Sequence, residues 1–132
     1  MIRRAGSPDA PTWPEVPLEV YKDEPGTWMQ VSRRVLFESD QAEFQVRYFE
    51  LAPGGYTSHE KHEHEHCVVV LRGVGKVLLD DAWHEIGPGD VVHVMPNQPH
   101  QFVNNSEGPF GIVCTVNRDR DRPILLGDPP SG

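Results

Sequence analysis

The stretch that decides the fold runs from Pro53 to Gly73 and reads P-G-G-Y-T-S-H-E-K-H-E-H-E-H-C-V-V-V-L-R-G. It contains four of the seven histidines, interleaved with glutamates, and ends in a β-branched run that is typical of a buried strand. Further along the chain, Pro96-Asn97-Gln98-Pro99-His100 leads to Asn104. Imidazole and carboxylate groups concentrated beside a core favour a divalent transition metal site over a solvated tract of biased composition.

Composition narrows the class of protein. A chain of 132 residues suits one domain with a single core. Twenty acidic against 12 basic side chains give a net charge of -8, which argues against nucleic-acid or anionic-membrane partners. The sequence has neither an apolar run of transmembrane length nor a signal-peptide core, so we expect a cytoplasmic protein without a membrane partner.

Turn residues divide most of the chain into short strands. Thirteen prolines and 12 glycines interrupt any helical period, which predicts an all-β sandwich or barrel. Residues 1–27 form a proline-rich, irregular N-terminal arm, residues 28–118 the barrel, and residues 119–132 a solvated tail. The predicted strands are at about 29–37, 44–51, 56–62, 66–71, 75–80, 83–86, 91–95, 100–104 and 110–116.

A β-barrel can bring the histidines together. Side chains two apart on a strand share a face, so Glu60 and His62 point in one direction. A tight turn at residues 63–65 would let His66 face the same interior, and His100 would arrive from a distant strand. Interior positions of a closed or nearly closed antiparallel barrel converge on one cavity.

Over roughly residues 28–118 the chain resembles the cupin family of small jelly-roll β-barrels. The first cupin motif, G-x5-H-x-H-x(3,4)-E-x6-G, aligns Glu60 and His62 with its two histidines and His66 with its glutamate when Gly73 is the anchor. The second, G-x5-P-x-G-x2-H-x3-N, aligns with His100 and Asn104. The resemblance implies a single double-stranded β-helix (jelly-roll) barrel with a metal in its interior.

The resemblance implies four metal ligands: Glu60, His62, His66 and His100. Histidine and glutamate have exchanged places relative to the commonest pattern, yet three imidazoles and one carboxylate remain. Such a set accepts one divalent ion per chain, whether manganese, iron, nickel, copper or zinc. A bulge or another register would make His59 the first ligand in place of Glu60.

Other residues of these motifs carry separate expectations. Asn97 stands where the family has glycine, and asparagine tolerates the left-handed conformation best among the other residues. His64 is expected to be exposed or to support a ligand. His84 is expected on the surface, and His93 in a strand that could line the cavity. Both cysteines, in valine-rich strands, are expected to be core residues.

Two functional classes follow from the resemblance. The first is a metal-dependent enzyme, of dioxygenase or decarboxylase type, acting on a small oxygenated organic molecule in a cavity walled by Val68, Val70 and Phe102. The second is a non-catalytic barrel that binds or senses a small molecule. The apolar side chains of the arm, together with the dimers common among cupins, also predict a homodimer.

Overall fold

The structure is a computed structural model that describes residues 1–21 and 27–132. Within those residues every regular element is a β-strand, as the turn pattern predicted. No helix there is long and apolar enough to cross a membrane. The strands are β1 (Gly6–Ser7), β2 (Ala10–Pro11), β3 (Glu19–Val20), β4 (Met29–Phe37), β5 (Phe44–Tyr56), β6 (Glu60–Lys61), β7 (His66–Arg72), β8 (Gly75–Leu79), β9 (Ala82–Ile86), β10 (Val91–Val94), β11 (His100–Val103), β12 (Phe110–Asn117) and β13 (Ile124–Leu125).

The strands build a curled antiparallel jelly roll, which confirms the predicted fold class. One face follows the order β3-β4-β5-β12-β7-β10, and the other contains β9-β8-β11-β6-β13. The two faces meet where Val103 of β11 pairs with Tyr56 at the end of β5. A short hairpin of β1 and β2 forms a separate sheet. The curled sheet therefore surrounds one interior.

Alternation along the strands sends apolar side chains into that interior. In β7, Val68 and Val70 are buried while Leu71 is exposed, and in β10 Val92 and Val94 are buried on either side of an exposed histidine. The same alternation places Cys67 on the surface, so its prediction as a core residue was wrong, whereas that for the buried Cys114 is confirmed.

The predicted turn at Pro53-Gly54-Gly55 is instead a bend inside β5. This strand continues through the bend to Tyr56, so the predicted separation into strands 44–51 and 56–62 was wrong. Gly54 has φ of 80°. A Cβ on Gly55 would lie only 2.8 Å from the Ala52 carbonyl oxygen. Glycine thus permits a sharp irregularity without ending the strand.

The N-terminal arm packs on the barrel of its own chain. Its strand β3 pairs with β4, Val16 is buried, and the Trp13 ring lies 4.8 Å from that of Tyr48. Leu18 and Val20 remain 57% and 77% exposed. Pro25, the last proline of the predicted arm, lies outside the described residues.

Candidate metal centre

Three histidines from different elements meet inside the barrel. His62 follows β6 directly, while His66 and His100 are the first residues of β7 and β11. The register between β11 and β6 pairs His100 with Glu60, which brings the two distant motifs together. The chain bends at residues 63 and 64, within the predicted turn, and Asn97 has the positive φ, 59°, that was expected of it.

The imidazole nitrogens of these histidines form a compact cluster. One ring nitrogen from each of His62, His66 and His100 lies within 4.8 Å of the others. The Nε2 atoms of His62 and His100 are 3.2 Å apart, and the rings of His62 and His66 are stacked with centroids 4.5 Å apart. In the described part of the chain, no other group of three metal-binding side chains is this close.

Hydrogen bonds at the outer nitrogens orient the rings. Nδ1 of His62 donates to the carbonyl oxygen of His64 at 2.7 Å, and Nδ1 of His100 donates to that of Gln98 at 2.8 Å. A ring that donates through Nδ1 presents Nε2 as a lone pair. His66 has its Nδ1 3.4 Å from the Cys114 sulfur, and its Nε2 is buried without a hydrogen-bond partner. Each of the three rings therefore has an Nε2 that is not used as a hydrogen-bond donor to the protein backbone.

Burial keeps these imidazoles neutral. Desolvation is the largest cause that lowers the pKa of His62, of His66 and of His100, the last to about 4. The proximity of the other rings lowers the pKa values further. Neutral imidazole is the form that binds a metal, so the cluster fits a divalent cation.

Glu60 lies beside the cluster. It is 6% exposed, its Oε2 is 3.5 Å from Nε2 of His62, and its Oε1 accepts a hydrogen bond from the Ser58 hydroxyl. It is not part of the compact three-histidine set. The neighbouring His59 points elsewhere, with Nδ1 3.1 Å from the carbonyl oxygen of Gly127.

His64 supports the loop that contains the candidate ligands. It is buried, and its ring stacks on His62 with centroids 3.7 Å apart. Asp121 accepts hydrogen bonds from the backbone N–H groups of Glu63 and His64 and lies 2.7 Å from the Nδ1 of His64. These hydrogen bonds lower the pKa of Asp121. The sequence placed this aspartate in a solvated tail and missed its role.

The other two histidines lie on the surface. His84 is exposed on β9, as predicted. His93 is also exposed, its Nε2 lies 2.7 Å from a carboxylate oxygen of Glu65, and it is not among the residues that line the cavity.

A cavity of about 170 Å³ adjoins the histidine cluster. His66 and His100 lie in its wall, and Val68 and Phe102 supply apolar surface, as predicted. Val70 is packed in the core instead and is not among the lining residues. A small molecule in this cavity would contact both apolar walls and the imidazoles.

These features define a jelly-roll barrel with a candidate metal centre in its interior. Residues 47–116 match the family described as Cupin domain (Cupin_2), and the chain belongs to this family. The match extends from the fourth residue of β5 to the last residue but one of β12 and contains every candidate ligand.

Individual proteins are similar over most of the chain. The 1-methylthio-D-xylulose 5-phosphate methylsulfurylase of Rhodospirillum rubrum is 37% identical over 114 residues, which are 86% of this chain and 73% of that enzyme. The crystal structure of a cupin 2 conserved barrel domain protein from Rhodopseudomonas palustris has a TM-score of 0.86 and 34% identity, over 95% of this chain and 86% of that one. The structure of a cupin-2 domain protein from Rhodospirillum rubrum has a TM-score of 0.83 and 36% identity, over 89% and 79% of the two chains.

Proposed function

We propose that this protein is a metal-dependent enzyme that acts on a small oxygenated organic molecule. His62, His66 and His100 hold one divalent transition metal, with Glu60 as the fourth ligand. The observations that support this proposal most are that His66 contributes a ring nitrogen to the compact cluster and that its buried Nε2 has no hydrogen-bond partner. An unpaired buried polar atom is costly, and a shared cation would satisfy it.

Metal coordination would leave room for a substrate. Four protein ligands in a six-coordinate site leave about two positions, and a bound ion would polarise a substrate oxygen or activate dioxygen. The protein itself contributes the neutral imidazoles, the fixed ring orientations and the apolar walls of Val68 and Phe102, which limit access of water.

Three reaction classes are compatible with this site. The dioxygenase and decarboxylase chemistries expected from the sequence are two. The third is a methylsulfurylase reaction. It is suggested by the Rhodospirillum rubrum relative, whose name gives a phosphorylated ketose with a methylthio group as substrate. We include the third because that relative shares 37% identity over 86% of this chain.

The experiment begins with elemental analysis of the purified full chain and of two variants. His100→Ala removes a proposed ligand, and His84→Ala changes an exposed histidine by the same substitution. The wild type and His84→Ala should contain about one metal per chain, and His100→Ala should contain far less. Full occupancy in His100→Ala would contradict the proposed ligand set.

Activity is then measured on metal-loaded protein. The substrates are 1-methylthio-D-xylulose 5-phosphate, small diketones in the presence of oxygen, and small dicarboxylic acids. Turnover of one class by the wild type and by His84→Ala, with loss in His100→Ala, would support the enzyme. Saturable binding of these compounds without turnover would instead favour the non-catalytic binding module.

A further inference from the structure

Arg47 is a buried cation in the wall of the metal-facing cavity. It lies in β5, is only 4% exposed, and lines the same cavity as His66 and His100. Strand alternation places position 47 on the same face as the core residues Phe49 and Leu51, so the presence of an arginine at this inward position needs a physical reason. A guanidinium stays charged in proteins, and burying it without an anion carries a large desolvation cost.

The contacts of Arg47 leave that charge unbalanced. Its Nη2 is 3.4 Å from the Cys114 sulfur, its Cζ lies 4.9 Å from the centre of the Phe49 ring, and its buried Nε has no hydrogen-bond partner. Among residues 1–21 and 27–132, no carboxylate lies within ion-pair distance of it. By contrast, Arg33 and Arg72 have carboxylate oxygens at 2.6 and 2.8 Å.

The carboxylates that line the cavity have other partners. Asp121 accepts from two backbone N–H groups and lies against the His64 ring. Glu60 accepts from Ser58 and approaches His62. Neither is engaged with Arg47 as a direct ion pair, so the cavity contains a positive charge whose counterion is not supplied by these side chains.

We propose that Arg47 binds an anionic oxygen group, a carboxylate or a phosphate, of the molecule that occupies this cavity. The inference rests on the proposed function in one respect, namely that the cavity receives a substrate. The planar guanidinium donates parallel hydrogen bonds to two oxygens of such a group, which gives orientation as well as affinity. The free Nε provides one donor for this purpose.

The cavity is small enough for one molecule to contact both Arg47 and the imidazole cluster. Its volume of about 170 Å³ suits a small organic molecule, and the Cys114 sulfur lies 3.4 Å from both the Nη2 of Arg47 and the Nδ1 of His66, so the two groups are near each other. A molecule of this size that is held by Arg47 has its remaining oxygen atoms close to the imidazole cluster. Arg120 is exposed and lines the same cavity, so it adds a second positive charge on the solvent side. The substrate class is therefore a short oxygenated chain with an acidic group at one end.

Anion binding can be tested without metal. The full chain is treated with EDTA and titrated at pH 7.5 and constant ionic strength with inorganic phosphate or with acetate, using calorimetry. The variants are Arg47→Gln, Arg47→Lys and Arg118→Gln; the last makes the same charge change at an exposed arginine outside the cavity. The wild type and Arg118→Gln should bind phosphate, acetate or both, and the two proteins should have equal affinity for the anion that binds. Arg47→Gln should bind it at least tenfold more weakly, since a charge-assisted hydrogen bond contributes roughly 1.5–3 kcal/mol, and Arg47→Lys should lie between.

A measurement on the wild type keeps the test valid if Arg47→Gln fails to fold. The Nε–H resonance of Arg47 in a ¹⁵N spectrum should shift on addition of the same anion, and the anion with the larger effect identifies carboxylate or phosphate. Absence of saturable binding by the wild type, equal binding by a folded Arg47→Gln, or an unchanged Nε–H resonance would overturn the proposal.

Metal stoichiometry separates this inference from the proposed function. Arg47-dependent anion binding in a protein that never retains metal would refute the metal-dependent enzyme and leave the anion site. Full metal occupancy without Arg47-dependent binding would refute the anion site alone.

Discussion

Acidification should destabilise the metal-free protein, and His100 contributes a defined part of the loss beside His62 and His66, whose pKa values burial also lowers. The folded-state pKa of His100, about 4, lies below the ordinary value of 6.5 because the ring is buried. At this position the unfolded chain therefore binds a proton more tightly, so the contribution of His100 to the free energy of unfolding falls as pH drops below about 6.5 and levels off below about 4. The difference between 6.5 and 4 corresponds to roughly 3 kcal/mol from this one residue.

The assay is urea unfolding of EDTA-treated protein between pH 8 and 4, followed by tryptophan fluorescence. His100→Gln has no titrating group at this position, so its loss of stability between pH 6.5 and 4 should be smaller than that of the wild type by roughly 3 kcal/mol. His84→Gln removes an exposed histidine and should behave like the wild type. An identical acid-induced loss in His100→Gln and the wild type would refute the buried, neutral state assigned to His100.

Three further predictions concern the barrel and its assembly. Bound metal should shift the acid-induced unfolding of the wild type to lower pH, measured with and without zinc, because a ligand that binds only the folded state stabilises it; no shift would count against metal binding. Gly111→Ala should lower stability by roughly 1–3 kcal/mol in urea unfolding, because its Cβ would collide with the buried Tyr48 side chain, while Gly108→Ala, which has open space, should change little. We also propose a homodimer, for which light scattering should give about twice the chain mass of 14.9 kDa; a mass near that of one chain at tens of micromolar protein would refute it.

Local sequence rules were sufficient to predict most strands of the barrel and the clustering of the histidines. Alternation placed Val68 and Val70 inside, and the two spaced motifs brought His66 and His100 to one cavity. Asn97 adopts the left-handed conformation expected of a residue that replaces glycine in a turn. Each of these features depends on neighbours within a few residues or on a fixed motif spacing.

Features that depend on contacts between distant residues could not be predicted from the sequence. Asp121 accepts hydrogen bonds from Glu63 and His64, which precede it by 58 and 57 positions. An aspartate between two arginines gives no indication in the sequence of such distant partners. Arg47 belongs to a residue type that is almost never fully buried unless paired, so its residue type gave no reason to expect it in the cavity wall. The continuity of β5 through Gly54 depends on pairing with β4 and β11, which the glycine pair alone cannot reveal.

The contact between residues 121–127 and the ligand loop affects the order in which the centre forms during synthesis. Strand β13 pairs with β6, and Leu126 donates its N–H to the carbonyl oxygen of His59. These residues follow every candidate ligand in the sequence, so the strand and the aspartate that support the ligand loop are the last parts of the centre to be made. We therefore expect the proposed metal centre to need residues 121–126 folded against the ligand loop, and proteolysis just before Asp121 would leave that loop unsupported.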